Sequence, residues 1–217
     1  HAILWDLDSG REVRRFQVDR DRANVAAFHP DGTLLAVGGT GGLTCWSVAS
    51  GIAVFRISTG SPVASLAFSA DGRHLLAGLN DATLRLWEFP SGEEGQRFRG
   101  HQSPLESVAF SPDAAFAVSA AQDGRVLIWK LDTGETYPFY QLGLFAQPVK
   151  GVRCLPKGDG VITVGADGTA SRWSPAVKSQ SAAARLVRSW GTAADAPPLR
   201  TIRPVHAMQA DDGKTEF

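Results

Sequence analysis

Gly100 to Trp129 reads GHQSPLESVAFSPDAAFAVSAAQDGRVLIW, and the rest of the chain can be laid against it. Within this stretch His101, Ser119, Asp123 and Trp129 stand at offsets that recur, in degraded form, on both sides of it. Trp5, Trp46, Trp87, Trp129 and Trp173 follow one another at intervals of 41, 41, 42 and 44 residues. The first four are each followed by a Ser-Gly or Thr-Gly pair: Ser9-Gly10, Ser50-Gly51, Ser91-Gly92 and Thr133-Gly134. A second marker keeps step. Phe28-His-Pro-Asp-Gly32, Phe68-Ser-Ala-Asp-Gly72, Phe110-Ser-Pro-Asp-Ala114 and Cys154-Leu-Pro-Lys-Gly158 each precede the next tryptophan by 14 or 15 residues. Two markers in phase define a structural repeat of about 42 residues.

Between the markers lie β-branched or aromatic runs of five or six residues, closed by Asp, Gly, Pro or Ser, with no competing helical period. They predict strands near 24–28, 34–38, 42–47 and 52–57. The same four-strand order follows twice more, then strands near 149–154, 160–165 and 169–174. Val126–Trp129 and Phe116–Ser119 are nearly continuous apolar runs, as expected of strands covered on both faces. A lone repeat would leave both faces wet, so neighbours must cover them.

These features resemble the WD-repeat β-propeller family, whose repeats carry a Gly-His near the start and a Trp-Asp near the end. Trp5-Asp6 keeps the dipeptide, whereas the others read Trp46-Ser, Trp87-Glu, Trp129-Lys and Trp173-Ser, and Gly100-His101 is the one Gly-His. The resemblance covers residues 1–174 well and 203–217 weakly. It implies an all-β fold of four-stranded antiparallel blades arranged radially. Five periods fit in 217 residues, while the resemblance implies seven blades in a full ring, so an open partial ring of about five blades is expected. Its units are the end of a truncated blade (1–10), four blades (11–46, 47–87, 88–129 and 130–173), an outer strand plus basic insertion (174–204) and the start of a further blade (205–217). Ala182 to Trp190 would supply the outer strand of the fourth blade. The Ala/Arg-rich repeats suggest a bacterial type of WD-repeat protein, part of a larger multidomain chain.

Composition narrows the function. Lys+Arg and Asp+Glu are both 22, with 43% hydrophobic and 20% charged residues, so no chain-wide charge draws the protein to nucleic acid or anionic membrane. No apolar run approaches the roughly 18 residues of a membrane helix. The compartment stays open, with the cytoplasm favoured. Cys45 and Cys154 read as small buried hydrophobes, and no histidine pairing suits zinc, so no metal is expected. Asp211–Thr215 ends like a phosphate loop, but Met208 stands where its first glycine belongs. No cofactor is expected.

His101, Ser119 and Asp123 are the residue types of a nucleophilic triad. The resemblance instead implies a buried relay from the Trp129 indole through hydroxyl and imidazole to carboxylate, and this structural reading is preferred because tryptophan is a donor that must be satisfied when buried. The matching positions are Asp19, Ala36, Thr40 and Trp46 in the first blade and Thr59, Ala77, Asp81 and Trp87 in the second. In the fourth they are Phe145, Thr163, Asp167 and Trp173. No catalytic residue is assigned.

The resemblance implies docking on one rim, built from the loops entering each first strand and the turns between second and third strands. Arg20, Arg22, Gln102, Phe145 and Gln147 are the candidate protein-binding residues there. Phe145 either leaves an apolar ring exposed or turns inward. The expected function is a non-catalytic scaffold for protein partners; the alternative is a propeller enzyme, quinoprotein-like or hydrolytic, or a small-ligand binder with a site in the central channel. Nucleic acid ranks third, since only the insertion is basic.

Overall fold

The computed structural model describes residues 1–17, 22–132, 140–174 and 185–190. The described residues contain strands and turns but no helix. Strands β1 (Ala2–Trp5) and β2 (Glu12–Phe16) form a two-stranded sheet. Four antiparallel four-stranded sheets follow. Sheet I holds β3 (Ala23–Phe28), β4 (Leu34–Gly39), β5 (Gly42–Ser47) and β6 (Ala53–Ser58), and sheet II holds β7 (Val63–Phe68), β8 (His74–Leu79), β9 (Thr83–Glu88) and β10 (Glu94–Arg99). Sheet III holds β11 (Leu105–Phe110), β12 (Phe116–Ala121), β13 (Arg125–Lys130) and β14 (Tyr140–Leu144). Sheet IV holds β15 (Val149–Cys154), β16 (Val161–Gly165), β17 (Ala170–Ser174) and β18 (Arg185–Trp190). Each is a meander whose strands pair in chain order, as blades require, and among the described residues the sheets do not close into a ring.

Packing explains the runs of apolar sequence. In β4, β8 and β12 every residue after the first is buried, because both faces lie against other sheets. Outer strand β6 instead alternates between half-buried and exposed. The tryptophan of each sheet packs onto the sheet before it. Trp46 meets Phe16 with ring centroids 6.0 Å apart, and Trp129 meets Phe98 at 5.5 Å. Trp87 lies in a cluster with Val25, Leu43 and Cys45 of sheet I, and Trp173 packs on one with Val118, Val126 and Ile128 of sheet III. First strands also lie side by side, stapled by side chains. The Val108 N–H donates to Ser65 Oγ (3.1 Å), the Val152 N–H to Ser107 Oγ (3.2 Å), and Asn24 Nδ2 donates to the Val63 carbonyl (3.1 Å). Every first strand carries a register shift near its start, at Ala23/Val25, Val63/Ser65, Leu105/Ser107 and Val149/Gly151.

Sequence repeat and sheet are out of phase by one strand. The repeats ending at Trp46, Trp87, Trp129 and Trp173 stop on the third strand, whereas each sheet takes its outer strand from beyond the tryptophan. β18 falls within Ala182–Trp190, where the sequence places the outer strand of the fourth blade. Residues 205–217 lie outside the described residues.

The turn between first and second strands is held by its aspartate. Asp31 Oδ1 accepts from the Thr33 N–H (2.8 Å) and hydroxyl (2.7 Å), and Asp71 accepts from Ser69 and the Arg73 N–H. At Gly32 and Gly72 φ is +73° and +71°, the left-handed geometry that favours glycine, and Ala114 adopts it at +53° in sheet III.

Among the described residues no sheet covers the face of Trp5, which is 53% exposed, whereas Trp87 is 1% exposed. Trp87→Ala should therefore cost about 3–5 kcal/mol in urea unfolding and Trp5→Ala under about 1 kcal/mol. Equal costs would contradict sheet-on-sheet burial of the indoles.

Candidate functional site

The β12–β13 register pairs Ser119 with Leu127 and Ala117 with Trp129, which brings the Ser119 hydroxyl under the indole two residues farther along β13. Trp129 Nε1 donates to Ser119 Oγ (2.8 Å), and Ser119 Oγ lies 2.7 Å from His101 Nε2. His101 Nδ1 lies 3.2 Å from Asp123 Oδ2. The proton positions follow from donor arithmetic. Indole can only donate, so the serine oxygen accepts from it and passes its own proton to Nε2, which leaves the imidazole hydrogen on Nδ1 facing the carboxylate. Asp123 also accepts from the N–H groups of Gln102 and Arg125, both at 2.9 Å.

Burial lowers the titration point of His101 below the usual 6.5, outweighing the opposite pull of Asp123. The imidazole is therefore neutral at pH 7, as the relay requires. Ser119 is fully buried and already engaged from two sides. The three residue types of a hydrolytic triad are in hydrogen-bond series, yet the hydroxyl has no route to a substrate. The arrangement can tie a loop, two strands and a turn together.

The other sheets depart from this arrangement. In sheet IV, Trp173 Nε1 donates to Thr163 Oγ1 (2.9 Å), but Phe145 stands in place of the imidazole. Its ring meets Trp173 edge-on at 5.5 Å, so Phe145 turns inward and is half-buried. In sheet II, Ala77 offers no hydroxyl and Thr59 donates to the Ser61 carbonyl (2.6 Å). There Asp81 is held by Arg85 Nη2 at 2.7 Å and by the Thr83 N–H at 3.0 Å. Burial alone would raise the Asp81 carboxyl, but the bonds from Thr83 and Arg85 hold it below the usual range. In sheet I, Ala36 leaves the buried Trp46 Nε1 without a partner among the described residues.

Sequence reasoning passed over Arg85. Its signal is a guanidinium-bearing residue two positions before the tryptophan, where the other repeats have Thr44, Leu127 and Ser171, with Asp81 four residues earlier.

One rim gathers the loops before each first strand and the turns after each second strand. Proline carbonyls bond them: the Asn80 N–H donates to Pro62 (3.0 Å), Gln122 to Pro104 (3.0 Å) and Ala166 to Pro148 (2.8 Å). Arg22, Gln102 and Gln147 are exposed on this rim; Arg20 lies outside the described residues. A cavity of about 690 Å³ runs beside β3 and β7, lined by Ala27, Val37, Leu66, Phe68 and His29, with Arg153 at its border. His1, Asn24 and Ser69 add polar groups to that wall. Among the described residues no cluster of three His, Cys, Asp or Glu could hold a metal. Burial pushes the thiols of Cys45 and Cys154 up to about 12, which leaves them unreactive.

Two outcomes are expected. His101 binds a proton less readily folded than unfolded, so its stabilising effect is present above 6.5 and is lost as pH falls through the lowered folded value. Chemical unfolding between about pH 7.5 and 5 should show a steeper acid loss in wild type than in His101→Gln; identical slopes would contradict the buried neutral imidazole. Ala36→Ser places an acceptor at the position that Ser119 holds in sheet III, and should raise stability by about 0.5–1 kcal/mol. An unchanged or lower value would contradict the unsatisfied Trp46.

Comparison with known proteins agrees with this geometry. The family model for the WD domain, G-beta repeat, matches residues 52–88 and 92–130, each running from an outer strand through the next tryptophan strand. The chain is similar to the small ribosomal subunit protein RACK1y of Oryza sativa subsp. japonica, with 42% identity over 89 residues, 41% of this chain and 26% of that protein. It is similar also to cell division cycle 20.4, cofactor of APC complex, of Arabidopsis thaliana, with 32% identity over 112 residues, 46% of this chain and 25% of that protein. Telomerase protein component 1 of Rattus norvegicus is 33% identical over 95 residues, 42% of this chain and 4% of its own length. The chain thus spans about a quarter or less of each of these three proteins. They come from plants and an animal, so the bacterial character suggested by composition gains no support. Residues 52–88 and 92–130 match WD40 repeats, and the four-stranded antiparallel sheets have the form of WD40 blades.

Proposed function

We propose that this chain is a non-catalytic platform on which protein partners dock, through the rim that carries Arg22, Gln102, Gln147 and the turn at Gln122. The observation behind this reading is the contrast between two sets of polar residues. Those with the chemistry of a catalytic triad are buried and saturated in sheet III, whereas exposed polar side chains stand on loops pinned by backbone hydrogen bonds. Rigid loops lose little entropy on binding, and function concentrates on loops held by a stiff scaffold. Two similar proteins bear names that place them in assemblies, a ribosomal subunit and the APC complex, which supports a docking role here. Arg20 belongs to the same rim by its place in the sequence, and Phe145 contributes by shaping the loop from within.

Co-purification followed by cross-linking mass spectrometry should place partner cross-links on this rim. The triple variant Arg22→Ala, Gln102→Ala, Gln147→Ala should weaken the identified partner at least about fivefold, with Lys157→Ala on the opposite rim unchanged. Cross-links confined to the opposite rim, or full affinity in the triple variant, would overturn the proposal.

A further inference from the structure

Equal numbers of acidic and basic residues conceal an uneven distribution between the two rims. The rim opposite the proposed docking face carries exposed carboxylates in the turns joining first to second and third to fourth strands, among them Asp31, Asp71, Asp113, Glu88, Glu93 and Asp132. With Asp6, Asp8 and Asp159 they outnumber the cations there, among them Arg11, Arg14, Arg73, Lys130, Lys157 and Arg172. On the docking rim the carboxylates of sheets II and III are already spent. Asp81 is paired with Arg85 at 2.7 Å. The Asp123 side chain is 8% exposed and accepts from His101, Gln102 and Arg125. Glu106 accepts from Lys150 at 2.6 Å and from Gln122 at 2.9 Å.

What the part of this rim formed by sheets II and III offers to solvent is therefore cations and amides, while the exposed Asp167 lies in sheet IV. Arg99 is exposed two residues before His101, and Arg125 is half-buried two residues after Asp123, so both flank the relay. Among the described residues neither lies in an ion pair with a carboxylate. The exposed amides of Gln102 and Gln122 lie in the same loop and turn.

Resting on the reading of this rim as the docking face, we infer that the partner presents an acidic segment to it, and that Arg99 and Arg125 receive its carboxylates. Guanidinium groups bind carboxylates by two parallel hydrogen bonds, and amides bind the remaining lone pairs. The opposite rim repels the same segment, so charge also sets the orientation of approach.

The test uses the full chain and fluorescein-labelled deca-glutamate, with deca-lysine for comparison, read by fluorescence anisotropy. Deca-glutamate should bind, more weakly as salt rises. Arg99→Gln and Arg125→Gln should each reduce its affinity about threefold, and Arg97→Gln on the outer edge of sheet II should leave it unchanged. Circular dichroism establishes that each variant is folded, and Arg99→Gln alone carries the test if Arg125→Gln is not. Absence of binding, or binding unaffected by Arg99→Gln, overturns the inference. The docking reading survives that result if partner cross-links still fall on this rim; cross-links on the opposite rim remove both.

Discussion

Burial of one apolar sheet face against the next is the interaction on which this structure depends. A four-stranded sheet of this composition has two apolar faces, and neither a hairpin turn nor a hydrogen bond can shield them. Three tryptophans show it by their ring contacts: Trp46 on Phe16, Trp129 on Phe98, Trp173 on Phe145. The price of burying so large a ring is that its single N–H must be matched inside. The variation among the sheets follows from how each meets that demand. Sheet III meets it with a hydroxyl backed by a histidine and an aspartate, sheet IV with a threonine backed by an aromatic ring. Sheet I leaves it unmet among the described residues.

The same constraint separates structural from functional polarity. Ser119, His101 and Asp123 lie together because the indole requires an acceptor and that acceptor in turn requires one. Their resemblance to a hydrolytic set is a consequence of donor and acceptor counting in a buried place. Polar groups that owe nothing to the core are on the rim, where proline carbonyls fix the loops. A surface of this kind can be rigid without being enclosed, which suits recognition of another chain better than transformation of a small molecule.

Much of this was legible in the sequence because it repeats. Trp, the Asp-Gly turn and the apolar second strand recur at one spacing, so the sheets and the order of their strands could be read directly. The relay of sheet III was legible through the family resemblance, whose positions His101, Ser119, Asp123 and Trp129 fill within one period. Contacts between periods were not. The bonds from Val108 to Ser65 and from Val152 to Ser107 join residues 43 and 45 positions apart, and depend on the register shift that each first strand makes. Arg85 was missed because a guanidinium in a third strand reads as a surface residue until the adjacent sheet covers it. The direction of Phe145 could not be decided either, since it is set by Trp173, an element away in the fold and 28 residues away in the chain.

Exchange of the indole Nε1 hydrogens, followed in nitrogen-15 spectra of the whole chain, probes the junctions between sheets most directly. Burial between two sheets predicts slow exchange for Trp129, which is 1% exposed and hydrogen-bonded, and exchange near the solvent rate for Trp5, which is 53% exposed. Fast exchange at Trp129, or protection of Trp5 equal to that of Trp129, would contradict the account.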